Sequence, residues 1–315
     1  MGSETTTLRL PIIDFSKVEF KPDNVEWDLV RVQVQEALQE FGCFEALFDK
    51  VPSELRKSIF DAVEELYNLP LETKQKNSSQ KLFQGYLGQL PMMPLYEGMA
   101  INDANLLEKA ESFTNLLWPE GNPGFCKTIQ SFSEQLSELD RIIRRMVLES
   151  FGVEKYLDEH IESTNYALRV LKYNEPKTTE TMLGLKTHTD KNCMTILCEN
   201  QVHGLEIQTK DGKWMNVKPS PDSFTVLIGD CFYAWTNGWL HAPTHRVMMS
   251  GFKARYSVGF QSIPKGGYII KAPEELVDED HPILFKPFDY VEFIEFYDTE
   301  AGRKAKSALK TYCGV

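Results

Sequence analysis

Apolar and polar residues alternate with a helical period in three stretches of the N-terminal half. Apolar side chains recur every three or four residues through 27–41 and through 55–66, and the second stretch ends before Pro70. A third stretch, from about 129 to 151, carries one apolar stripe and is followed by Gly152, a residue type common just past helix ends. The pattern predicts three helices whose stripes pack into a core.

Two other parts of this half have a different pattern. Residues 8–15 form a short apolar run closed by Asp14, which favours a strand. Residues 81–103 are rich in glycine, proline, methionine and aromatic residues. We interpret this second segment as an irregular loop with apolar side chains to bury, of the kind that covers a site.

From residue 165 onward the pattern changes to short, strand-like segments, and 285–309 returns to a helical period. Asp211-Gly212 is a strong hairpin turn signal between two of the segments. The predicted strands lie within residues 166–173, 187–200, 204–210, 213–219, 223–230, 244–250 and 255–264.

Many short strands separated by turn signals are typical of a sandwich or barrel, most simply a jelly roll. The sequence therefore predicts an α+β fold in which a double-stranded β-helix (jelly roll) core is flanked by N-terminal helices and a C-terminal helix. We divide the chain into a mainly helical region, 1–160, packed on the core, and a jelly-roll domain with its C-terminal helix, 161–315.

The charge of the chain narrows the range of partners. The formal net charge is -12 and the pI is near 5.1, whereas binding to nucleic acid or to an anionic membrane requires a basic surface. We expect a small-molecule substrate, no nucleic acid and no membrane. Because no coiled-coil or repeat pattern is present, we expect a monomer.

The chain lacks an apolar run long enough for a membrane helix and begins without a signal peptide, which favours a cytoplasmic location. Its six cysteines are scattered without a CxxC pair, as expected for a reduced intracellular protein. The start, MGSETT, loosely fits a myristoylation pattern at Gly2, although an unmodified N-terminus is the simpler interpretation.

The segment HTDKNC carries the first candidate chemistry. Residues i and i+2 of a strand share a face, so His188 and Asp190 would present an imidazole and a carboxylate side by side. His245 opens another predicted strand after enough intervening chain to return to the same place. Two histidines and one carboxylate form a facial triad typical of non-haem Fe(II) oxygenases. Zinc hydrolases also use three protein ligands, so the triad by itself leaves the metal open.

A second pair follows ten residues later. Arg255 and Ser257 share one face of a predicted strand, and a guanidinium next to a hydroxyl is a good receptor for a buried carboxylate. A zinc hydrolase has no use for such a receptor, and a metal analysis would separate the two classes.

Together, HTD, HRV and RYS in this order and spacing resemble the 2-oxoglutarate- and Fe(II)-dependent dioxygenases of plant specialised and hormone metabolism. LPIIDF, EFGCFEALF, LPLETK and YEGM resemble their N-terminal half, so the likeness covers nearly the whole chain. ESFTNLLWPEGNPGFC and LVDEDHPILFKPF are most similar to the branch of the glucosinolate side-chain (AOP-type) dioxygenases, with deoxypodophyllotoxin synthase and the auxin-oxidising enzymes as relatives.

The resemblance implies Fe(II), 2-oxoglutarate, O2 and ascorbate as cofactors, cosubstrates or reductant, with release of succinate and CO2. His188, Asp190 and His245 match the family's catalytic iron ligands. Arg255 and Ser257 match the pair that holds the distal carboxylate of 2-oxoglutarate, and Tyr173 matches a tyrosine that reaches it. Leu171 stands where the family often has an asparagine, so one polar contact to the cosubstrate is expected to be missing.

The substrate side is less defined by the sequence. An oxidation by hydroxylation, desaturation, ring closure or dealkylation would fit the family, while the carboxylate at Asp190 argues against halogenation. The candidate substrate contacts are Phe260, Tyr86, Phe113, Tyr233 and His241. A catalytically silent small-molecule receptor on the same fold is the alternative, although this chain retains every iron ligand.

Overall fold

Two β-sheets packed face to face form the centre of the computed structural model, which describes residues 9–17 and 25–315. The larger sheet has eight strands in the order β1-β2-β10-β7-β12-β5-β4-β3, the smaller has four in the order β6-β11-β8-β9, and β13 pairs with β14. The strands are β1 Ile12–Asp14, β2 Cys43–Leu47, β3 Tyr86–Leu90, β4 Met93–Asn102, β5 Thr164–Tyr173, β6 Met182–His188, β7 Met194–Glu199, β8 Leu205–Gln208, β9 Trp214–Asn216, β10 Ser223–Ile228, β11 His245–Met249, β12 Arg255–Pro264, β13 Ile269–Ile270 and β14 Phe288–Asp289.

Helices cover the outer face of the larger sheet and form the C-terminal part of the chain. Within the described residues none of them is both long and apolar enough to cross a membrane. The α-helices are α1 Val25–Glu40, α2 Ser53–Asn68, α3 Leu71–Lys74, α4 Leu107–Leu117, α5 Pro123–Ser150, α6 Leu157–Glu162, α7 Asp230–Trp235, α8 Tyr290–Asp298, α9 Glu300–Lys304 and α10 Ala308–Cys313, with 3₁₀ turns at Glu154–Tyr156 and Glu274–Leu276.

The three predicted N-terminal helices are confirmed as α1, α2 and α5. The last begins six residues earlier than its apolar stripe, because Asn122 caps it by accepting a hydrogen bond from the Phe125 amide at 3.0 Å. It ends before Gly152, whose φ of 66° is a left-handed conformation that glycine adopts without strain.

The interpretation of 81–103 as an irregular loop is wrong. This segment forms the hairpin of β3 and β4 at the edge of the larger sheet. Residues 95–101 are all buried, so the strand shows a continuous run in place of the alternating pattern that identifies half-exposed strands. The single C-terminal helix is also corrected, since β14 and three short helices occupy that stretch. Gly2 lies outside the described residues.

Apolar contacts join the two sheets and the helices into one body. Tyr96 and Tyr173 of the larger sheet pack with Val247 and Met249 of the smaller one. On the other face of the larger sheet, Phe132 of α5 packs against Phe224 of β10 with ring centroids 6.2 Å apart. The larger sheet is therefore buried on both faces, and its strands β1 to β4 come from the residues before 161. All six cysteines are buried and free.

A buried ion pair lies in α5 beneath the sheet. The Arg144 Nε donates to the Asp140 carboxylate at 2.7 Å, and Arg144 Nη1 lies 2.8 Å from His160 Nδ1. Because the guanidinium can only donate, Nδ1 of His160 accepts and the imidazole is neutral. Burial and the charge of Arg144 lower the pKa of His160 well below its ordinary value of 6.5.

This arrangement predicts that the protein loses stability as the pH falls below about 6.5. The unfolded chain then binds a proton at His160 that the folded chain excludes, which lowers the free energy of unfolding by up to about 1.4 kcal/mol per pH unit. Urea unfolding at pH 7.5, 6.5 and 5.5 measures the slope, and His160→Gln, which keeps an acceptor for Arg144, should reduce it. Equal slopes in both proteins would contradict the prediction.

Candidate active site

Three potential metal ligands converge between the two sheets. His188 Nε2 and His245 Nε2 lie 3.7 and 3.8 Å from Asp190 Oδ1, and the imidazole centroids are 4.2 Å apart. One ligand atom from each residue lies within 4.8 Å of the other two, close enough for one ion to contact all three. This is the arrangement that the sequence predicted.

The smaller sheet positions the two histidines. His188 is the last residue of β6 and His245 the first of β11, and the two are direct partners in the antiparallel ladder. Asp190 lies two residues beyond the end of β6, so the expectation that it shares a strand face with His188 is corrected. Its backbone carbonyl accepts a hydrogen bond from the Asp230 amide at 2.7 Å, which helps to hold this segment.

The atoms that face away from the centre have partners of their own. Nδ1 of His188 lies 2.8 Å from the Lys186 carbonyl, and Nδ1 of His245 lies 3.2 Å from that of Pro243. Because a carbonyl only accepts, each Nδ1 carries the proton and each Nε2 lone pair faces the centre. Thr195 donates to Asp190 Oδ2 at 2.6 Å, which leaves Oδ1 for a metal.

The pKa shifts favour the protonation states that bind a cation. Burial and the neighbouring His245 lower the pKa of His188 to about 3. Burial acts to raise the pKa of Asp190, but the two histidines and the hydrogen bond from Thr195 outweigh it, so the net shift is downward. Neutral imidazoles and an ionised carboxylate at neutral pH can ligate a metal without first losing protons.

Lys191, which was not predicted as part of the site, stabilises the segment that carries Asp190. Its ammonium is buried and donates to Asp230 Oδ2 at 2.8 Å and to the Thr189 hydroxyl at 2.7 Å. Thr189 in turn donates to the same Asp230 oxygen at 3.1 Å. The only indication of this role in the sequence was the position of Lys191 directly after Asp190.

The predicted carboxylate receptor lies at the end of the larger sheet. Arg255 and Ser257 are fully buried on one face of β12, and Arg255 Nη1 donates to the Ser257 hydroxyl at 3.1 Å. Arg255 is also paired with Glu199, the last residue of β7, with Nη2 2.6 Å and Nε 3.1 Å from Oε2. Glu199 was not predicted as part of the site, although it is the lone acidic residue at the end of an apolar strand.

Tyr173 completes this end of the sheet. It pairs with Arg255 across β5 and β12, and its ring lies 5.3 Å from the guanidinium carbon. Its hydroxyl is buried and has no hydrogen-bond partner among the described residues, and burial raises its pKa. A buried hydroxyl without a partner is costly unless a ligand supplies one, so the residues present fit a bound carboxylate.

Three of the candidate substrate contacts lie on the helical side of the larger sheet. Phe260 is three residues beyond Ser257, on the opposite face of β12, and stacks on Tyr166 at 4.8 Å. Phe113 stacks on a phenylalanine of α5 in the helical core. Tyr86 donates to Glu97 at 2.9 Å, next to Lys74. Strand alternation directs Phe260 and Tyr86 away from the centre, and Phe113 lies in α4 within the helical core, so we withdraw these three as substrate contacts.

The two other candidates lie in the segment between β10 and β11. Tyr233 of α7 packs edge-to-face on Phe285 at 5.3 Å. The His241 amide donates to the Leu38 carbonyl at 3.0 Å, and burial lowers the pKa of its imidazole. Both residues join α7 and the following loop to neighbouring elements, and their role as substrate contacts stays a prediction.

Family models match two parts of the chain. The 2OG-Fe(II) oxygenase superfamily matches residues 164–264, which contain both histidines, the aspartate and the arginine of the site. The N-terminal model of the non-haem dioxygenases in morphine synthesis matches residues 10–92.

Individual relatives extend the match over the whole chain. The chain is 53% identical to the "Probable 2-oxoglutarate-dependent dioxygenase AOP1.2" of Arabidopsis thaliana, over 98% of this chain and 97% of the relative. The dioxygenase for auxin oxidation of rice superposes with a TM-score of 0.82 at 26% identity, over 97% of this chain and all of that one. JOX2, in a complex named as holding 2OG, Fe and JA, superposes with a TM-score of 0.81 at 26% identity, over 97% of this chain and 89% of that one. The chain therefore belongs to the 2-oxoglutarate- and Fe(II)-dependent dioxygenases, and it is an oxidoreductase that uses Fe(II) and 2-oxoglutarate.

Proposed function

We propose that His188 and His245, through Nε2, and Asp190, through Oδ1, bind the Fe(II) ion. The observation that carries this proposal is the convergence of these three atoms, each left free by a hydrogen bond that engages the other polar atom of its side chain. Bound to these residues, Fe(II) supplies the activation of O2 and the oxidative decarboxylation of 2-oxoglutarate to succinate and CO2. With three protein ligands, the ion would remain accessible to cosubstrate and O2.

The opposite end of 2-oxoglutarate belongs at the end of the larger sheet. We assign its distal carboxylate to Arg255 and Ser257, with the unpartnered Tyr173 hydroxyl as a further donor. Burial of these groups excludes water, so a carboxylate gains more from them than it would at the surface. With both ends held, bound 2-oxoglutarate would already have the orientation that the reaction requires, so little further conformational entropy would be lost.

The neighbouring residues hold these groups in place. Thr195 fixes the rotation of the Asp190 carboxylate, and Lys191 with Asp230 fixes the segment around it. The carbonyls of Lys186 and Pro243 fix the tautomers of the two histidines. A ligand set held in advance needs little reorganisation when the metal binds.

The substrate is assigned by class alone. We propose a small, largely apolar plant specialised metabolite or hormone that undergoes hydroxylation, desaturation, ring closure or dealkylation, with ascorbate as reductant. We also propose a cytoplasmic monomer that does not bind nucleic acid, and a division of the chain into 1–160 and 161–315. The net charge of -12 supports the exclusion of nucleic acid.

The two rival classes fit the site less well. A silent receptor has no need of three convergent metal ligands, and all three are present here. A zinc hydrolase has no use for the buried Arg255 and Ser257 pair.

The proposed function is tested by succinate formation. Protein reconstituted anaerobically with Fe(II) is mixed with 2-oxoglutarate and oxygenated buffer, alone and with plant extracts fractionated by polarity. We expect one fraction to stimulate succinate release well above the uncoupled background. Tight binding of a fraction component without any succinate would instead favour the receptor.

A further inference from the structure

Glu199 places a second carboxylate inside the proposed 2-oxoglutarate receptor. Its side chain is 2% exposed and that of Arg255 is 1% exposed, so the ion pair is shielded from water. The two residues reach each other because Ser257 of β12 is the ladder partner of Glu199 in β7, which brings Arg255 to the end of β7. A charge this close to the receptor acts directly on any anion that binds there.

The hydrogen bonds of Arg255 show which of its N–H donors remain available for a ligand when Glu199 is bound to it. Glu199 occupies the Nε and Nη2 edge, and the Ser257 hydroxyl accepts from Nη1. A guanidinium has five N–H donors, so among the described contacts one N–H stays free on each terminal nitrogen. These two N–H groups remain as donors for an incoming carboxylate.

The charges of this cluster nearly cancel before a ligand arrives. Arg255 contributes one positive charge and Glu199 one negative charge, so an incoming carboxylate meets a receptor with little net attraction and a like charge beside it. At an effective dielectric constant of about 20, two like charges roughly 6 Å apart repel strongly enough to change a binding constant more than tenfold.

We propose that Glu199 sets the affinity for 2-oxoglutarate: it orients Arg255 through one edge and, by its charge, weakens the binding of the distal carboxylate at the other. The inference rests on the proposed function, in which Arg255 and Ser257 hold that carboxylate. Glu199 is thus a positioning residue whose charge keeps cosubstrate binding weaker than the receptor alone would allow.

Besides Arg255, the Glu199 carboxylate contacts His203, which reduces its charge only in part. His203 Nδ1 lies 2.6 Å from Glu199 Oε1 and donates to it, which draws part of the carboxylate charge away from Arg255. Tyr173 faces the guanidinium from β5, and the buried Cys198 precedes Glu199 in β7.

The test is the variant Glu199→Gln, which keeps the shape and one acceptor for Arg255 but removes the charge. Calorimetric titration of the Fe(II)-loaded protein with 2-oxoglutarate under nitrogen measures binding without turnover. We expect the variant to bind at least about tenfold more tightly than the wild type. Equal or weaker binding would overturn the proposal.

Glu97→Gln is the matched control. Glu97 is equally buried in the same sheet and is paired with Lys74 at 2.7 Å, on the helical side. The Glu97→Gln variant should bind 2-oxoglutarate with unchanged affinity. A gain in affinity confined to Glu199→Gln is therefore a local charge effect. An equal gain in the control would overturn the proposal.

Two further variants complete the design. If Glu199→Gln does not fold, His203→Ala provides the opposite change at a position whose side chain is 35% exposed, and it should weaken binding several-fold because Glu199 then acts on Arg255 with its full charge. Unchanged binding in His203→Ala would overturn the proposal. Arg255→Gln distinguishes a failure of this proposal from a failure of the proposed function. Normal affinity for 2-oxoglutarate in that variant would reject Arg255 as the receptor for its distal carboxylate.

Discussion

Asp190→Ala will abolish the formation of succinate from 2-oxoglutarate. The variant removes the one anionic ligand of three, and the two remaining imidazoles cannot balance the charge of Fe(II). Loss of a supporting residue around a metal typically lowers affinity or activity ~10–100-fold, so loss of a ligand should lower turnover by more than ~100-fold. Succinate release and iron content of the purified protein provide the two measurements.

Asp211→Ala is the control for this prediction. Asp211 lies in the exposed turn between β8 and β9, where its partner is Lys213, also exposed. The control should bind iron and release succinate like the wild type. His188→Ala should resemble Asp190→Ala, and normal turnover in either variant would reject the assignment of the metal centre. The thermal unfolding of the metal-free proteins shows whether any loss reflects misfolding.

Arg255→Gln will weaken 2-oxoglutarate binding and destabilise the fold together. Removal of a charged partner from a buried hydrogen-bonded pair costs roughly 2–5 kcal/mol of binding, so the KM for 2-oxoglutarate should rise more than ~30-fold. Glu199 also loses its buried positive partner and keeps only the hydrogen bond from His203, which should lower the free energy of unfolding by about 3 kcal/mol. Initial rates against 2-oxoglutarate concentration and urea unfolding measure the two effects.

The double variant Arg255→Gln with Glu199→Gln separates binding from stability. Two amides can hydrogen-bond to each other without a buried charge, so most of the lost stability should return. The affinity for 2-oxoglutarate should not return, because the positive charge is still missing. Recovery of both properties would indicate that Arg255 acts on the cosubstrate only through the fold.

The three N-terminal helices and the candidate metal ligands could be predicted from the sequence for different reasons. Helix periodicity depends on residues three or four apart, and α1, α2 and α5 were found in this way. The order and spacing of His188, Asp190 and His245 matched a known family, and the structure brings the three together. Strand alternation could also have predicted that Phe260 lies on the opposite face of β12 from Ser257, since the two are an odd number of residues apart.

The sequence by itself predicted the helices α1, α2 and α5, most of the strands, and the candidate residues for a metal and a dicarboxylate. The tertiary structure decided that 81–103 is a hairpin on the larger sheet and that Glu199 lies against Arg255. Both depend on strand partners distant in the chain, such as Ser257 with Glu199. Local periodicity reports which face of a strand is buried, whereas the register between strands, set by packing of the whole sheet, decides which side chains meet.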